Sequence, residues 1–133
     1  MDTLRNVLIC TLVMLAACSR SFPSKVFAAT TGEPIVRGRK LIEQFHCGSC
    51  HVIPGVQGAN GTVGPPLILF AKRSFIAGEV PNTQENLIRW IMSPQSIEQD
   101  TAMPQLGLSD SQASDVAAYL YTLRSKNWYG DSQ

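Results

Sequence analysis

Apolar residues recur at helical spacing in three segments of the 133-residue chain, at residues 34–45, 84–92 and 109–124. Each segment begins near a residue type that favours a helix start, namely Pro34, Asn82 or Thr83, and Ser109. The apolar positions expected to face the core are Ile35, Leu41, Ile42 and Phe45, then Leu87, Ile88 and Ile91, and finally Ala113, Val116, Ala117 and Leu120. The pattern predicts an all-α fold of three to four short helices, with every other ordered residue in a loop.

The region between the first two helical segments is rich in residues that break regular structure. Residues 51–64 contain Pro54 and the glycines Gly55, Gly58, Gly61 and Gly64. Proline and glycine in this density predict a loop.

The first 17 residues have the pattern of an export signal. Arg5 lies in a short N-terminal region, and an apolar stretch over residues 7–17 follows it. Such a stretch is too short to span a bilayer. We therefore predict that residues 1–17 are a signal peptide.

The end of this stretch, Leu15-Ala16-Ala17-Cys18, resembles the processing box of bacterial lipoproteins, in which cleavage leaves a lipidated cysteine. Residues 18–33 would then form a flexible tether, because they lack a clear apolar period. The alternative is cleavage after Ala28, which leaves a soluble periplasmic protein without Cys18. We prefer the lipid anchor, on the periplasmic side of a bacterial membrane, because Cys18 directly follows the apolar stretch.

The length of the chain leaves room for one ordinary domain, which we place at residues 34–126, with a C-terminal tail at 127–133. The formal net charge is +1, and only 16% of the residues are charged. This composition lacks the basic footprint of nucleic-acid-binding proteins, so no nucleic-acid partner is expected.

The run Cys47-Gly48-Ser49-Cys50-His51 has the pattern of a covalent attachment site for c-type haem. Two thiols one helical turn apart can reach the two vinyl groups on one edge of a porphyrin, and the following imidazole can bind the iron. The alternatives are a thioredoxin-like redox pair or half of a zinc site. No second CxxC, no HxxxH and no βαβ pattern accompanies the motif, so we favour one covalently bound haem c.

Met103 is the candidate for the second iron ligand, since the thioether of a methionine in a loop is the second ligand to look for beside a haem-binding histidine. It precedes Pro104 in a loop that also contains Gly107, whereas Met92 belongs to a helical segment and the other methionines to the signal. No disulfide is expected, because each of the four cysteines is assigned to the signal, the lipid anchor or the haem.

Several ordered motifs resemble class I cytochromes c, and the similarity covers nearly all of residues 38–124. They are Gly38, Cys47-x-x-Cys50-His51, Gly64-Pro65-Pro66-Leu67, Arg73, Asn86-Leu87-Ile88-Arg89-Trp90-Ile91, Met103-Pro104 and Val116-Ala117-Ala118-Tyr119-Leu120. The stretch 81–91 looks most like the cytochrome c domains appended to subunit II of haem-copper oxidases. The resemblance implies a cytochrome c fold wrapped around one haem.

The resemblance also implies roles for individual residues around the haem. His51 would be the proximal ligand, and the Pro65 carbonyl would accept its other ring N–H; the alternative is that Pro65 is only a turn residue. Arg73 and Thr101 fall where the family binds a haem propionate. Trp90 falls beside the methionine ligand, with plain core packing as the alternative.

The same resemblance gives two further positions a role in helix packing. Gly38 and Tyr119 would mark the crossing of the first and last helices, unless each merely lies on its own helix. His46 precedes the attachment motif and is expected at the surface, because it cannot share the iron with His51.

The function these features favour is one-electron transfer without a small-molecule substrate. The expected partners are redox proteins: a quinol-oxidising complex or a dehydrogenase as donor, and a terminal oxidase as acceptor. The alternatives are a haem peroxidase and a gas sensor in which Met103 is displaced. A peroxidase needs a distal acid or base, and the sequence offers none, since His46 and His51 are its only histidines. We therefore do not expect an enzyme.

Overall fold

The computed structural model describes residues 32–125, so the signal peptide, Cys18, almost all of the tether and the C-terminal tail lie outside the described residues. The elements in chain order are α1 (Glu33–Gln44), a 3-10 turn (Cys47–Ser49), a second 3-10 turn (Phe70–Lys72), β1 (Phe75–Ile76), β2 (Val80–Pro81), α2 (Gln84–Met92), a third 3-10 turn (Pro94–Ser96) and α3 (Asp110–Leu120). Three α-helices and little strand confirm the predicted, mostly helical fold class.

Helices α2 and α3 begin where the sequence predicts, because local side chains satisfy their first N–H groups. Thr83 caps α2 by accepting a bond from the Asn86 N–H at 3.3 Å. Ser109 and Gln112 form the predicted capping box of α3, with bonds of 2.9 and 3.3 Å in opposite directions. Helix α1 begins one residue earlier than predicted, at Glu33.

The end of α3 was predicted wrongly. The helix ends at Leu120 rather than near Arg124. The Thr122 hydroxyl donates to the Tyr119 carbonyl at 2.7 Å, and the Thr122 and Leu123 N–H groups bond three residues back, which tightens the chain into turns. Leu123 is still only 1% exposed. The apolar pattern therefore continues into the core after the helix has ended.

The prediction of helix and loop alone was also wrong, since β1 and β2 pair in antiparallel register. The turn between them has φ of 54° at Ala77 and 83° at Gly78, the combination found in type I′ hairpin turns. Ile76 is 3% exposed, so this small ribbon contributes to the core.

Helices α1 and α3 cross at Gly38, where their backbones touch. A Cβ atom on Gly38 would lie 2.0 Å from the Asp115 carbonyl oxygen and 3.1 Å from the Tyr119 Cβ. The Arg37 guanidinium bonds both Asp115 carboxylate oxygens beside this point, at 2.7 and 2.9 Å. The expected crossing of Gly38 and Tyr119 is therefore confirmed.

The core lies between the three helices and extends under the 51–64 loop. Tyr119 is 1% exposed, and its hydroxyl donates to the Pro54 carbonyl at 2.6 Å, which fastens that loop to α3. The largest fully buried side chains are those of Tyr119, Ile42, Ile53, Leu87, Leu123 and Pro94. Among residues 32–125, no helix is both long and apolar enough to cross a membrane.

Gly38→Ala should destabilise the fold, although alanine is a better helix former than glycine by about 1 kcal/mol. The added methyl group would overlap the Asp115 carbonyl, and overpacking of this kind costs about 1–3 kcal/mol. The measurement is the denaturant midpoint of the holoprotein. Gly32→Ala is the matched control, because nothing lies within 4 Å of a Cβ there. Equal midpoints for both variants would contradict the observed helix crossing.

Candidate functional site

The attachment motif follows α1 after a sharp change of direction. His46 has a left-handed backbone with φ of 55°, and it turns the chain into the 3-10 turn at Cys47–Ser49. The N–H groups of Cys50 and His51 both bond to the Cys47 carbonyl, at 3.3 and 3.1 Å. One tight turn therefore carries both thiols and the imidazole. His46 itself is exposed, as expected.

The two cysteines do not have the features of a redox pair. Both are half-buried and neither forms a disulfide. Burial raises the pKa of the Cys47 thiol, whereas the attacking cysteine of a thioredoxin-like pair has a lowered pKa. Among residues 32–125, no group of three or more His, Cys, Asp or Glu side chains is placed to hold a bare metal ion. The raised pKa of Cys47 therefore favours haem attachment over a thioredoxin-like pair.

His51 is held by a single hydrogen bond that fixes its orientation. Its Nδ1 lies 2.8 Å from the Pro65 carbonyl oxygen, which confirms the expected contact. Because a carbonyl only accepts, Nδ1 carries the proton and the Nε2 lone pair remains available to a metal. This is the tautomer that an iron ligand needs.

Gly64 allows this bond to form. A Cβ atom there would lie 2.3 Å from the His51 Cε1 and 2.6 Å from its Nδ1, so any side chain would displace the ring. Gly64 belongs to the motif Gly64-Pro65-Pro66-Leu67, but nothing in the sequence indicates this role. A contact between residues this far apart in sequence leaves no local pattern.

A second segment runs beside the attachment motif and makes it rigid. The N–H groups of Gly61, Gly64 and Leu67 bond to the carbonyls of Gly48, Cys50 and Val52 at 2.8–3.0 Å. The structure confirms the loop predicted over residues 51–64. Its backbone bonds supply order that composition alone did not predict.

Met103 lies in the chain between the third 3-10 turn and α3, which we call the 101–109 loop. Its side chain is half-buried and is not among the residues that pack on the hydrophobic core. Met92, by contrast, lies on α2 and packs against that core. The structure thus gives Met92 a packing role and leaves Met103 as the better ligand candidate of the two.

Arg73 has the features of a residue that binds an anion. Its guanidinium donates to the Pro66 carbonyl and lies 5.6 Å from the centre of the Phe70 ring. Burial lowers its pKa, and within the described part of the chain no carboxylate lies within 4.0 Å of it. A partly buried cation without an acidic partner fits a haem propionate.

Asn82 is a residue of this site that the sequence analysis misread as a possible helix cap. Its amide donates to the carbonyls of Phe70 and Arg73 at 3.1 and 3.0 Å. Its own carbonyl accepts from the Tyr121 hydroxyl at 2.9 Å. Asn82 therefore holds the backbone that carries Arg73, while Thr83 caps the helix.

Two further expectations concern Thr101 and Trp90. The Thr101 hydroxyl oxygen accepts from the Met103 N–H at 3.3 Å, so its own proton remains available to another acceptor. Trp90 is half-buried and packs against the core, which agrees with plain core packing. Its placement beside the methionine ligand stays a prediction.

Comparison with known proteins identifies the family. The family model for cytochrome c matches residues 35–124. Cytochrome c oxidase subunit 2 of Alkalihalophilus pseudofirmus is 37% identical over 90 residues, which cover 66% of this chain and 25% of that protein. Cytochrome c oxidase subunit 2 of Bacillus subtilis is 30% identical over 95 residues, covering 68% of this chain and 27% of that protein.

The chain thus spans about a quarter of the length of these curated relatives. No solved structure gives a significant match. The family match covers the attachment turn, the Pro65 and Arg73 contacts and all three helices. The chain belongs to the cytochrome c family, whose members carry electrons on a covalently bound haem c.

Proposed function

We propose that Cys47 and Cys50 hold haem c through thioether bonds, that His51 and Met103 are its axial ligands, and that the chain passes single electrons between respiratory redox proteins. The observation that carries this proposal is the bond from His51 to the Pro65 carbonyl on the turn that presents both thiols. It fixes the imidazole in the tautomer that leaves Nε2 available for iron.

The surrounding residues have distinct tasks in this proposal. The haem supplies the ferric/ferrous couple, and methionine ligation raises its potential. Pro65 fixes His51, the partly buried Arg73 offsets the charge of a propionate, and Met103 closes the second ligand position. Electron transfer is favoured when the protein rearranges little between oxidation states. The backbone bonds that brace the attachment turn would limit such rearrangement.

A catalytic or gas-sensing role is the rival interpretation. A peroxidase needs an open iron position and a distal acid or base, and the only histidine besides His51 is the exposed His46. Spectra of the reduced protein with and without carbon monoxide separate the possibilities. An electron carrier with both axial ligands in place should show unchanged spectra, whereas a peroxidase or a sensor with a displaceable ligand should bind the gas.

The partners and the location that we propose go beyond what membership of the family establishes. Similarity to subunit 2 of cytochrome c oxidases supports a terminal oxidase as acceptor, with a quinol-oxidising complex or a dehydrogenase as donor. We further propose export and a lipid anchor on Cys18 at the periplasmic face of the membrane. Such a tether raises the effective concentration of membrane-bound partners.

The lipid anchor predicts that the mature protein begins at a modified Cys18 and fractionates with membranes. Each buried methylene of an acyl chain contributes about 0.8 kcal/mol, so several chains together hold a protein firmly. Mass spectrometry of the mature N-terminus shows whether the protein begins at a lipidated Cys18. Cys18→Ala is the control and should release the domain from membranes with its haem retained. An unmodified start at Ala29 would instead establish a soluble periplasmic carrier.

A further inference from the structure

The backbone of Met103 is held on both sides by side chains. The Gln95 side-chain amide donates to the Met103 carbonyl at 2.9 Å. The Met103 N–H donates to the Thr101 hydroxyl oxygen at 3.3 Å. The Gln95 bond comes from a different element, the third 3-10 turn, and therefore fixes the loop relative to the rest of the domain.

The 101–109 loop has few other restraints. Residues 102–108 take part in no backbone-to-backbone hydrogen bond within the described chain. Gly107 has φ of 73°, and Leu108, 5% exposed, is the buried anchor at the far end. The loop would thus be free to move at Met103 if side chains did not hold it there.

The turn that carries Gln95 is itself well anchored. Pro94 is among the fully buried residues, and its carbonyl accepts the N–H groups of Ile97 and Glu98 at 2.9 and 3.0 Å. The Ser96 N–H and hydroxyl both bond to the Ser93 carbonyl, at 3.0 and 2.6 Å. Gln95 therefore bonds from a well-anchored turn to a loop whose own core contacts, at Leu106 and Leu108, come after Met103 in the chain.

We propose that Gln95 is a positioning residue that keeps Met103 on the iron by holding its carbonyl. This inference rests on the proposed function, in which Met103 is the distal ligand. Without the bond, the loop would populate arrangements in which the thioether is off the metal. An external ligand binds in proportion to that open population.

The test measures the affinity of the ferric holoprotein for imidazole and its red charge-transfer band. Gln95→Leu removes the donor, and Gln95→Glu keeps the shape but places an acceptor against an acceptor. Loss of one hydrogen bond should raise imidazole affinity about fivefold in Gln95→Leu and at least as much in Gln95→Glu. Gln95→Lys restores a donor and should return the affinity to within about twofold of the parent.

Gln105→Glu is the matched control, because it makes the same charge change at an exposed residue of the 101–109 loop, where the side chain does not hold Met103. It should bind imidazole as the parent does. Parental affinity in both Gln95→Leu and Gln95→Glu, measured beside a Met103→Ala variant that binds imidazole tightly, would overturn the positioning role alone. Parental affinity in Met103→Ala as well would overturn the ligand assignment and hence the proposed function.

Discussion

Met103→Ala should lower the midpoint potential by roughly 0.1–0.3 V, within the ≈ 0.8 V range over which axial ligands set haem potentials. A soft thioether favours ferrous iron, and the variant loses that preference. The weak sulfur-to-iron band in the red of the ferric spectrum should disappear, and the reduced protein should bind carbon monoxide. Covalent attachment of the haem should survive, since both thiols are intact. Redox titration and optical spectra provide the measurements.

Met92→Ala is the control for this prediction. Met92 packs against the hydrophobic core on α2, so its loss should lower the free energy of unfolding and leave the potential and the red band unchanged. The reverse pattern, with Met103→Ala parental and Met92→Ala altered, would show that the wrong methionine has been assigned.

The second large effect is expected on removing the haem attachment. The variant Cys47→Ala with Cys50→Ala, purified free of haem, should be poorly folded. Between α1 and α2, residues 45–83 contain only two 3-10 turns and a two-stranded ribbon. A domain of this size leaves roughly a third or more of its unfolded surface in water, and a buried porphyrin would add substantially to its core. Far-UV circular dichroism should show reduced helix content and no cooperative melt.

Ser49→Ala is the matched control within the same pentapeptide. It removes a hydroxyl that bonds to the His46 carbonyl at 2.8 Å but leaves both thiols in place. This variant should retain its haem and melt cooperatively. A native-like cooperative melt of the haem-free double variant would refute the prediction and show that the backbone bonds of the loop suffice.

The helix starts could be predicted because their determinants are local. Helix α2 has the predicted bounds, since an apolar period is preceded by the Thr83 cap and followed by Pro94. The end of α3 could not be predicted in the same way. Leu123 continues the apolar pattern, while the Thr122 hydroxyl takes the Tyr119 carbonyl and ends the helix. The ribbon was missed because strands of two residues are too short to show alternation.

In the candidate site, too, the local features could be predicted from the sequence and the tertiary contacts could not. The spacing of Cys47, Cys50 and His51 can be read directly from the sequence, and the resemblance to class I cytochromes c predicted the Pro65 contact. The roles of Gly64 and Gln95 depend on which residues fold against them, and neither contact follows from the spacing of residues within a helix or strand.

A spectroelectrochemical titration of the purified holoprotein shows whether the chain carries single electrons on a haem with two protein ligands. We expect one reversible transition at a positive potential, with a slope of about 59 mV per tenfold change in the ratio of oxidised to reduced protein, as one electron requires. The optical spectrum should be that of six-coordinate haem in both states. A two-electron slope near 30 mV, as a dithiol–disulfide couple gives, or a haem that binds carbon monoxide as soon as it is reduced, would show that the chain is not a one-electron carrier with both iron ligands in place.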